Sequence, residues 1–147
     1  MVALVDHIIL TVTTGDEDID SNERVFLGIG GREFRCRRQG DHAENPFHEK
    51  NKEQELRFGS DSNVENPELN DPRSGQHMSA GSPIEKVNRH KLYLRRESTT
   101  NSRWTITTAR VEVFDASDEF LTPVPNGSVI DYPGITLGNE SGHIVMF

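Results

Sequence analysis

The sequence lacks the features that mark several classes of protein. Cys36 is the only cysteine in 147 residues, so the chain cannot form an internal disulfide, and we expect its thiol to pack inside a strand. No stretch reaches the roughly 18 consecutive apolar residues of a transmembrane helix. Residues 1–6 are neither basic nor long enough to form a secretion signal. We therefore expect a soluble protein with no transmembrane segment, located in the cytoplasm or exported by a non-classical route.

Catalytic and nucleic-acid-binding signatures are missing as well. No Gly-x-Ser-x-Gly elbow occurs, and no phosphate-binding glycine loop leads into a helix. The formal net charge of -8 argues against nucleic-acid binding and favours cations or a basic partner. The sequence therefore does not predict an enzyme, and a small enzyme acting on glycan or lipid is only the third interpretation.

Long helix-period patterns are absent, and short β-branched or aliphatic runs recur between segments rich in Gly, Pro, Asn and Asp. This pattern predicts an all-β antiparallel sandwich of about eight strands with two long loops, in a single domain spanning residues 1–147. Residues 115–147 are expected to add strands to it. The predicted strands are about 7–13, 24–30, 32–38, 54–59, 90–97, 103–114, 128–131, 134–138 and 142–147.

Alternation within these runs predicts which side chains form the core. Leu92 and Leu94 share the core face of their strand, whereas Tyr93 and Arg95 share the solvent face. The alternation changes phase near Thr108–Ala109, which predicts a β-bulge there. The expected core includes Ile8, Leu10, Val12, Val25, Leu27, Phe34, Leu92, Leu94, Trp104, Val111 and Val113.

The most acidic loop, residues 15–23, is a candidate calcium site. Asp16, Asp18 and Asp20 alternate in a segment that holds five carboxylates in eight residues. Calcium takes six to eight hard oxygen ligands in loose geometry, and carboxylates held close together are stabilised by a cation. The other interpretation is a solvated acidic turn.

A second loop, residues 61–71, offers the oxygens that the first loop would still need. We predict that Asn63 or Asp71 completes the calcium site from this loop. The same residues are also typical turn formers, because Asx side chains bond to nearby backbone groups.

Arginines in the predicted strands 32–38 and 90–97 form a possible basic strip. Arg35, Arg37 and Arg95 are the candidate binding residues for an acidic protein partner or a lipid surface. The alternative, which is simpler, is that these arginines neutralise the chain's own surplus of acids.

The order of several motifs resembles the PLAT domain family of polycystin, lipoxygenase and alpha-toxin. The family-like features are the run LTVTTGD at 10–16, the acidic loop, the run RVFLGIGG at 24–31, the Phe58-Gly59 step, the basic strand at 90–97 and the long strand led by Trp104. They cover about residues 7–114.

This resemblance implies an antiparallel eight-stranded β-sandwich that acts as a non-catalytic binding module. Family members dock on membranes or protein partners, and some hold calcium in their end loops, which here corresponds to Asp16 and its loop neighbours. We therefore expect a module that docks on a membrane or a protein partner, with calcium as a possible cofactor. The alternative is a structural or protein-interaction sandwich with no metal.

Overall fold

The computed structural model describes residues 4–75, 78, 92–97, 102–117, 119, 135–138 and 143–146. Within these residues the chain forms strands and no helix. The strands are β1 (His7–Thr14), β2 (Arg24–Ile29), β3 (Arg32–Arg35), β4 (Glu53–Gly59), β5 (Tyr93–Glu97), β6 (Trp104–Phe114), β7 (Ile135–Leu137) and β8 (Ile144–Met146). The predicted strand at 128–131 lies outside the described residues.

The strands form two antiparallel sheets that enclose one hydrophobic core. The first sheet has the order β4-β1-β6-β7, and the second has the order β3-β2-β5-β8. Each sheet takes one strand from the C-terminal stretch, β7 in the first sheet and β8 in the second, as predicted. The all-β antiparallel sandwich is therefore confirmed.

Alternation along the strands builds the core as predicted. Each of the core residues named from the sequence is buried, and Cys36 is buried with them. Burial raises the pKa of the Cys36 thiol well above its usual value, so this thiol is protonated and unreactive at neutral pH. Two further core side chains, Ile19 and Phe47, come from polar loops whose sequence does not show strand alternation.

Two consecutive buried hydrogen bonds connect the loop before β4 to the core. The Trp104 indole Nε1–H donates to Thr14 Oγ1 at 3.1 Å, and the Thr14 hydroxyl donates to the Phe47 carbonyl at 2.9 Å. The Phe47 ring stacks on the Trp104 indole with centroids 5.3 Å apart. The indole N–H of Trp104, the hydroxyl of Thr14 and the carbonyl of Phe47 each have a hydrogen-bond partner, which burial in a low dielectric requires.

The phase change in β6 is present close to its predicted position. Thr13 pairs with Thr108, but the next residue, Thr14, pairs with Ile106. The skipped residue is Thr107, so the irregularity lies just before the Thr108–Ala109 step. Because of this irregularity, Trp104 and Ile106 before it and Ala109 and Val111 after it all lie on the core face.

The loop after β4 covers the outer edges of both sheets on one side of the sandwich. Asn63 bonds to the β4 edge, where its Oδ1 accepts from the Arg57 N–H at 2.8 Å. Asn70 bonds to the β3 edge, where its Oδ1 accepts from the Arg35 N–H at 2.7 Å. Exposed strand edges are templates for pairing with other chains, and these side chains close them.

Within the described part of the chain, no helix has the length and apolar character that crossing a membrane requires.

Candidate binding face

The outer face of the second sheet carries arginine and aromatic side chains side by side. In β2, Val25 and Leu27 point into the core, so Arg24, Phe26 and Gly28 lie on the outer face. The register of the sheet then decides which side chains of the neighbouring strands join them. We call this surface the outer face of the second sheet.

One row of residues crosses all four strands of this sheet. Phe26 lies opposite Arg35 on one side and Arg95 on the other, and Arg95 lies opposite Ile144. The Arg95 guanidinium lies over the Phe26 ring, 4.4 Å from its centroid, which is a favourable cation–π geometry. Ile144 is 52% exposed. This cross-strand row, Arg35–Phe26–Arg95–Ile144, combines two cations with two apolar side chains.

The adjacent row owes its arrangement to a glycine. Gly28 lies opposite Glu33 on β3 and Tyr93 on β5. A Cβ atom at Gly28 would overlap the Tyr93 ring, so only glycine lets this ring lie across β2. The Tyr93 hydroxyl thereby reaches Glu33 on the far strand and donates to its Oε2 at 2.6 Å.

Glu33 is the electrostatic centre of this row. Its two carboxylate oxygens accept from the Nε and the Nη2 atoms of Arg95, each at 2.9 Å. The hydrogen bonds from Arg95 hold the pKa of Glu33 below its usual value, and Glu33 in turn raises the pKa of Arg95. Burial, followed by the bond to Glu33, raises the pKa of Tyr93. At neutral pH the row therefore holds a carboxylate, a guanidinium and a neutral phenol.

A third group on this face is rich in positive charge. The Cys36 N–H donates to the Val25 carbonyl at 2.8 Å, and this continued register places Arg37 beside Arg24. Arg35 contacts Glu44, and Arg37 lies 3.6 Å from the same carboxylate. We call Arg24, Arg35 and Arg37 the guanidinium cluster.

The opposite side of β5 holds an ion pair of another kind. Arg96 and Glu23 are fully buried between the sheets, and their side chains approach to 2.8 Å. The Arg96 guanidinium also donates to the carbonyls of Leu137 at 3.2 Å and Ser102 at 2.6 Å. Glu23 is thus not one of the solvated loop acids that the sequence suggested, because it is paired with an arginine inside the core.

The structure places the three aspartates of the predicted calcium loop at the end of β1. Asp16 and Asp18 are exposed and Asp20 is partly exposed. Ile19, which directly precedes Asp20, is buried in the core. The Asp20 Oδ1 accepts from the Asn22 N–H at 2.9 Å, which is the hydrogen bond of a turn. The buried Ile19 side chain and the hydrogen bond between Asp20 and Asn22 therefore hold the loop in place.

The structure does not bring the second predicted loop to these aspartates. Asp71 pairs with Arg73 at 3.0 Å, and Arg73 also faces Asp6, which directly precedes β1. Asp16 follows the other end of β1, whose eight residues span about 26 Å. Asp71 and the first loop therefore lie at opposite ends of β1, and the structure does not bring them together.

Asn63 is also occupied elsewhere. Its Oδ1 accepts from the Arg57 N–H, and its Nδ2 donates to the Glu55 carbonyl at 3.0 Å. Both ends of the amide thus bond to β4, and the turn-forming interpretation of this loop describes its role. In the part of the chain that the structure describes, no three His, Cys, Asp or Glu side chains converge to hold a metal ion. Calcium binding by Asp16, Asp18 and Asp20 alone stays a prediction.

The predicted binding arginines are gathered on one face. Arg35 and Arg95 flank Phe26, and Arg37 adjoins Arg35. Each of them also has an acid of this chain as a partner, as the alternative interpretation expected. Glu33 and Ile144 were not predicted from the sequence, although the alternation of β2 could have identified Arg24 and Phe26 as neighbours on the outer face.

Comparison with known proteins adds no relative to this picture. No protein-family model, no curated protein and no solved structure matches this chain significantly.

Proposed function

We propose that this chain is a non-catalytic binding module that docks on a protein partner through the outer face of the second sheet. The observation that carries the proposal is the cross-strand row Arg35–Phe26–Arg95–Ile144. Arginine and aromatic side chains dominate the binding energy of protein interfaces. Here they lie side by side on a regular sheet, with an exposed isoleucine at the end of the row.

The order within the face supports the proposal. Arg95 is held by Glu33 on one side and by the Phe26 ring below it, and Tyr93 is held by Glu33. Side chains that are fixed before binding lose little conformational entropy when a partner arrives. The resemblance to the PLAT domain points to the same class of function.

The outer face of the first sheet supplies the contrast. Its strand β1 presents Ile9, Thr11 and Thr13. Ile9 is partly buried and lies between Arg57 and Glu112 in the register, and Thr11 lies between Glu55 and Arg110. Short polar side chains flanked by solvated charges are poor anchors for a partner. The proposal therefore assigns docking to one sheet face and not to the other.

Site-specific photo-crosslinking tests this assignment. Ile144 is replaced by p-benzoylphenylalanine in one sample and Thr11 in a matched control, and both proteins are irradiated in an extract of the native cells. We expect a discrete crosslinked protein from position 144 that is absent from position 11.

The variant Tyr93→Ala provides the second arm of this test. It removes an anchor from the face, so it should abolish the crosslink from position 144 while the protein stays folded by circular dichroism. Equal crosslinking from positions 144 and 11, or a crosslink that persists in Tyr93→Ala, would overturn the proposal.

A further inference from the structure

The guanidinium cluster is short of negative charge. Arg35 and Arg37 share a single contacting carboxylate, Glu44. Arg24 is exposed, and among the described residues it makes no ion pair. Within the same part of the chain, the buried Nε atoms of Arg35 and Arg37 have no hydrogen-bond partner.

The electrostatic surroundings of Arg35 agree with this shortage. Burial lowers the pKa of Arg35, and so do the nearby guanidinium groups of Arg24 and Arg37. Glu97, which lies opposite Arg24 in the register of β2 and β5, and Glu65 act in the opposite direction. Of these two, Glu97 already lies 3.5 Å from Arg95, and Glu65 accepts from the Gly40 N–H. An added carboxylate beside Arg24 would therefore find donors and unbalanced positive charge.

The geometry of the row sets the length of a ligand that uses this cluster. Arg35 and Ile144 are separated by three interstrand steps, which amount to about 14 Å. Four residues of extended chain span about 13 Å, and residues four apart in such a chain point to the same side. A carboxylate at one end and an apolar side chain four positions away would meet both ends of the row.

We infer that the partner presents an extended acidic segment, with an Asp or Glu over the guanidinium cluster and an apolar residue four positions away over Ile144. This inference rests on the proposed function, because it names the chemistry of the partner at the same face. The chain as a whole carries a formal charge of -8, so an acidic segment is attracted only where arginines are concentrated. At physiological ionic strength, screening beyond about 8 Å lets this local attraction outweigh the distant acids.

The probe is a ten-residue Ser/Thr peptide that carries one Glu and one Leu four positions apart. It is titrated into the 15N-labelled full chain, and affinity and location are read from amide chemical-shift changes. We expect shifts centred on β2, β3 and β5. Replacing the peptide Glu by Gln should weaken binding about tenfold, because a charge-assisted hydrogen bond is lost. Moving the Leu to five positions away should weaken it as well, because the two side chains then point to opposite sides.

A matched pair of protein variants locates the site. Arg24→Gln removes a cation from the cluster and should weaken binding about tenfold. Arg110→Gln removes an exposed cation from the outer face of the first sheet and should leave the affinity unchanged. Equal affinities of the Glu and Gln peptides, or equal effects of the two protein variants, would overturn the inference.

Two further outcomes separate this inference from the proposal on which it rests. If the crosslink from position 144 persists in Arg24→Gln and the peptide does not bind, protein docking stands and the acidic segment is wrong. If phosphatidylserine vesicles bind in an Arg24-dependent manner and the peptide does not, the face serves a lipid surface, and both statements are wrong.

Discussion

Consecutive arginines of β5 make the same chemical contact on opposite sides of one sheet. Arg95 lies on the outer face and pairs with Glu33 at 2.9 Å, with both side chains partly in water. Arg96 lies on the inner face and pairs with Glu23 at 2.8 Å, with both side chains fully buried. The distances are nearly equal, so any difference between the two pairs comes from their surroundings.

The comparison shows that contact geometry alone does not tell how much an ion pair contributes. A solvent-exposed ion pair on the protein surface typically stabilises the fold by about 0–1 kcal/mol. In the core, both charges have lost their hydration, so removal of one partner leaves the other uncompensated at a cost of about 3–5 kcal/mol. The inner pair is thus a structural requirement, whereas the outer pair contributes little to the stability of the fold.

The largest expected effect comes from breaking the inner pair. Glu23→Gln leaves the Arg96 charge buried without its carboxylate, and we expect a loss of about 3–5 kcal/mol in the free energy of unfolding. Glu33→Gln makes the same chemical change on the outer face and should cost at most about 1 kcal/mol. Urea unfolding of the two variants measures both values. Losses of similar size would contradict the assignment of different roles to the two faces.

Replacing the whole inner pair should restore much of this loss. A double variant, Glu23→Leu with Arg96→Met, removes both buried charges and keeps apolar volume in the core, so it should be more stable than Glu23→Gln by about 2 kcal/mol or more. The measurement is again the urea midpoint, with the slope of the transition as a check on two-state unfolding. A double variant no more stable than Glu23→Gln would mean that the hydrogen bonds of Arg96 to Leu137 and Ser102 are the essential feature.

A smaller effect is expected from disturbing the outer face without removing any charge. Gly28→Ala adds a methyl group where the Tyr93 ring lies, so the ring must move away from Glu33. We expect a cost of about 1–3 kcal/mol for the overlap, together with loss of the Tyr93–Glu33 hydrogen bond. The chemical shifts of the Tyr93 ring protons should change, whereas those around Trp104 should not. Unchanged Tyr93 signals would show that the ring does not depend on this glycine.

The smallest effect concerns the ionisation of Tyr93. The chain has two tyrosines, so the titration is followed in the ultraviolet after Tyr132→Phe. Burial and the bond to Glu33 raise the pKa of Tyr93, so its contribution to stability is present below the unfolded value near 10 and is lost as the pH rises through the higher native value. Glu33→Gln should lower the native pKa towards that of a free phenol. No change on this substitution would leave burial alone as the cause.

Strand alternation was sufficient to predict the fold and most of the core. The positions of Leu92 and Leu94 on the core face followed directly from a period of two, and the same period placed Tyr93 and Arg95 outside. It also implied that Arg96 points inward, although a charged side chain is seldom expected there. Its partner was hidden, because Glu23 ends a run of acids that reads as a solvated loop.

The pairing of the two loops in the composite calcium site could not be predicted in the same way. Composition identifies residues that can hold a cation, but only the register of the strands decides which loops meet. Asp16 and Asp71 lie at opposite ends of β1 because β1 and β4 run antiparallel, and because the chain after β4 continues away from the acidic loop. The outer face depends on register in the same way, since Glu33 and Tyr93 are 60 residues apart in sequence.

The buried contact between Trp104, Thr14 and Phe47 gives the protein an internal fluorescent reporter. Trp104 is the only tryptophan in the chain, and its indole is shielded from water by an aromatic neighbour and a satisfied N–H. Its emission should be blue-shifted in the native state and should move to longer wavelength when the loop carrying Phe47 detaches. Because this indole lies in the core and the outer face of the second sheet is in solvent, its emission follows the integrity of the sandwich while a ligand titrates that face.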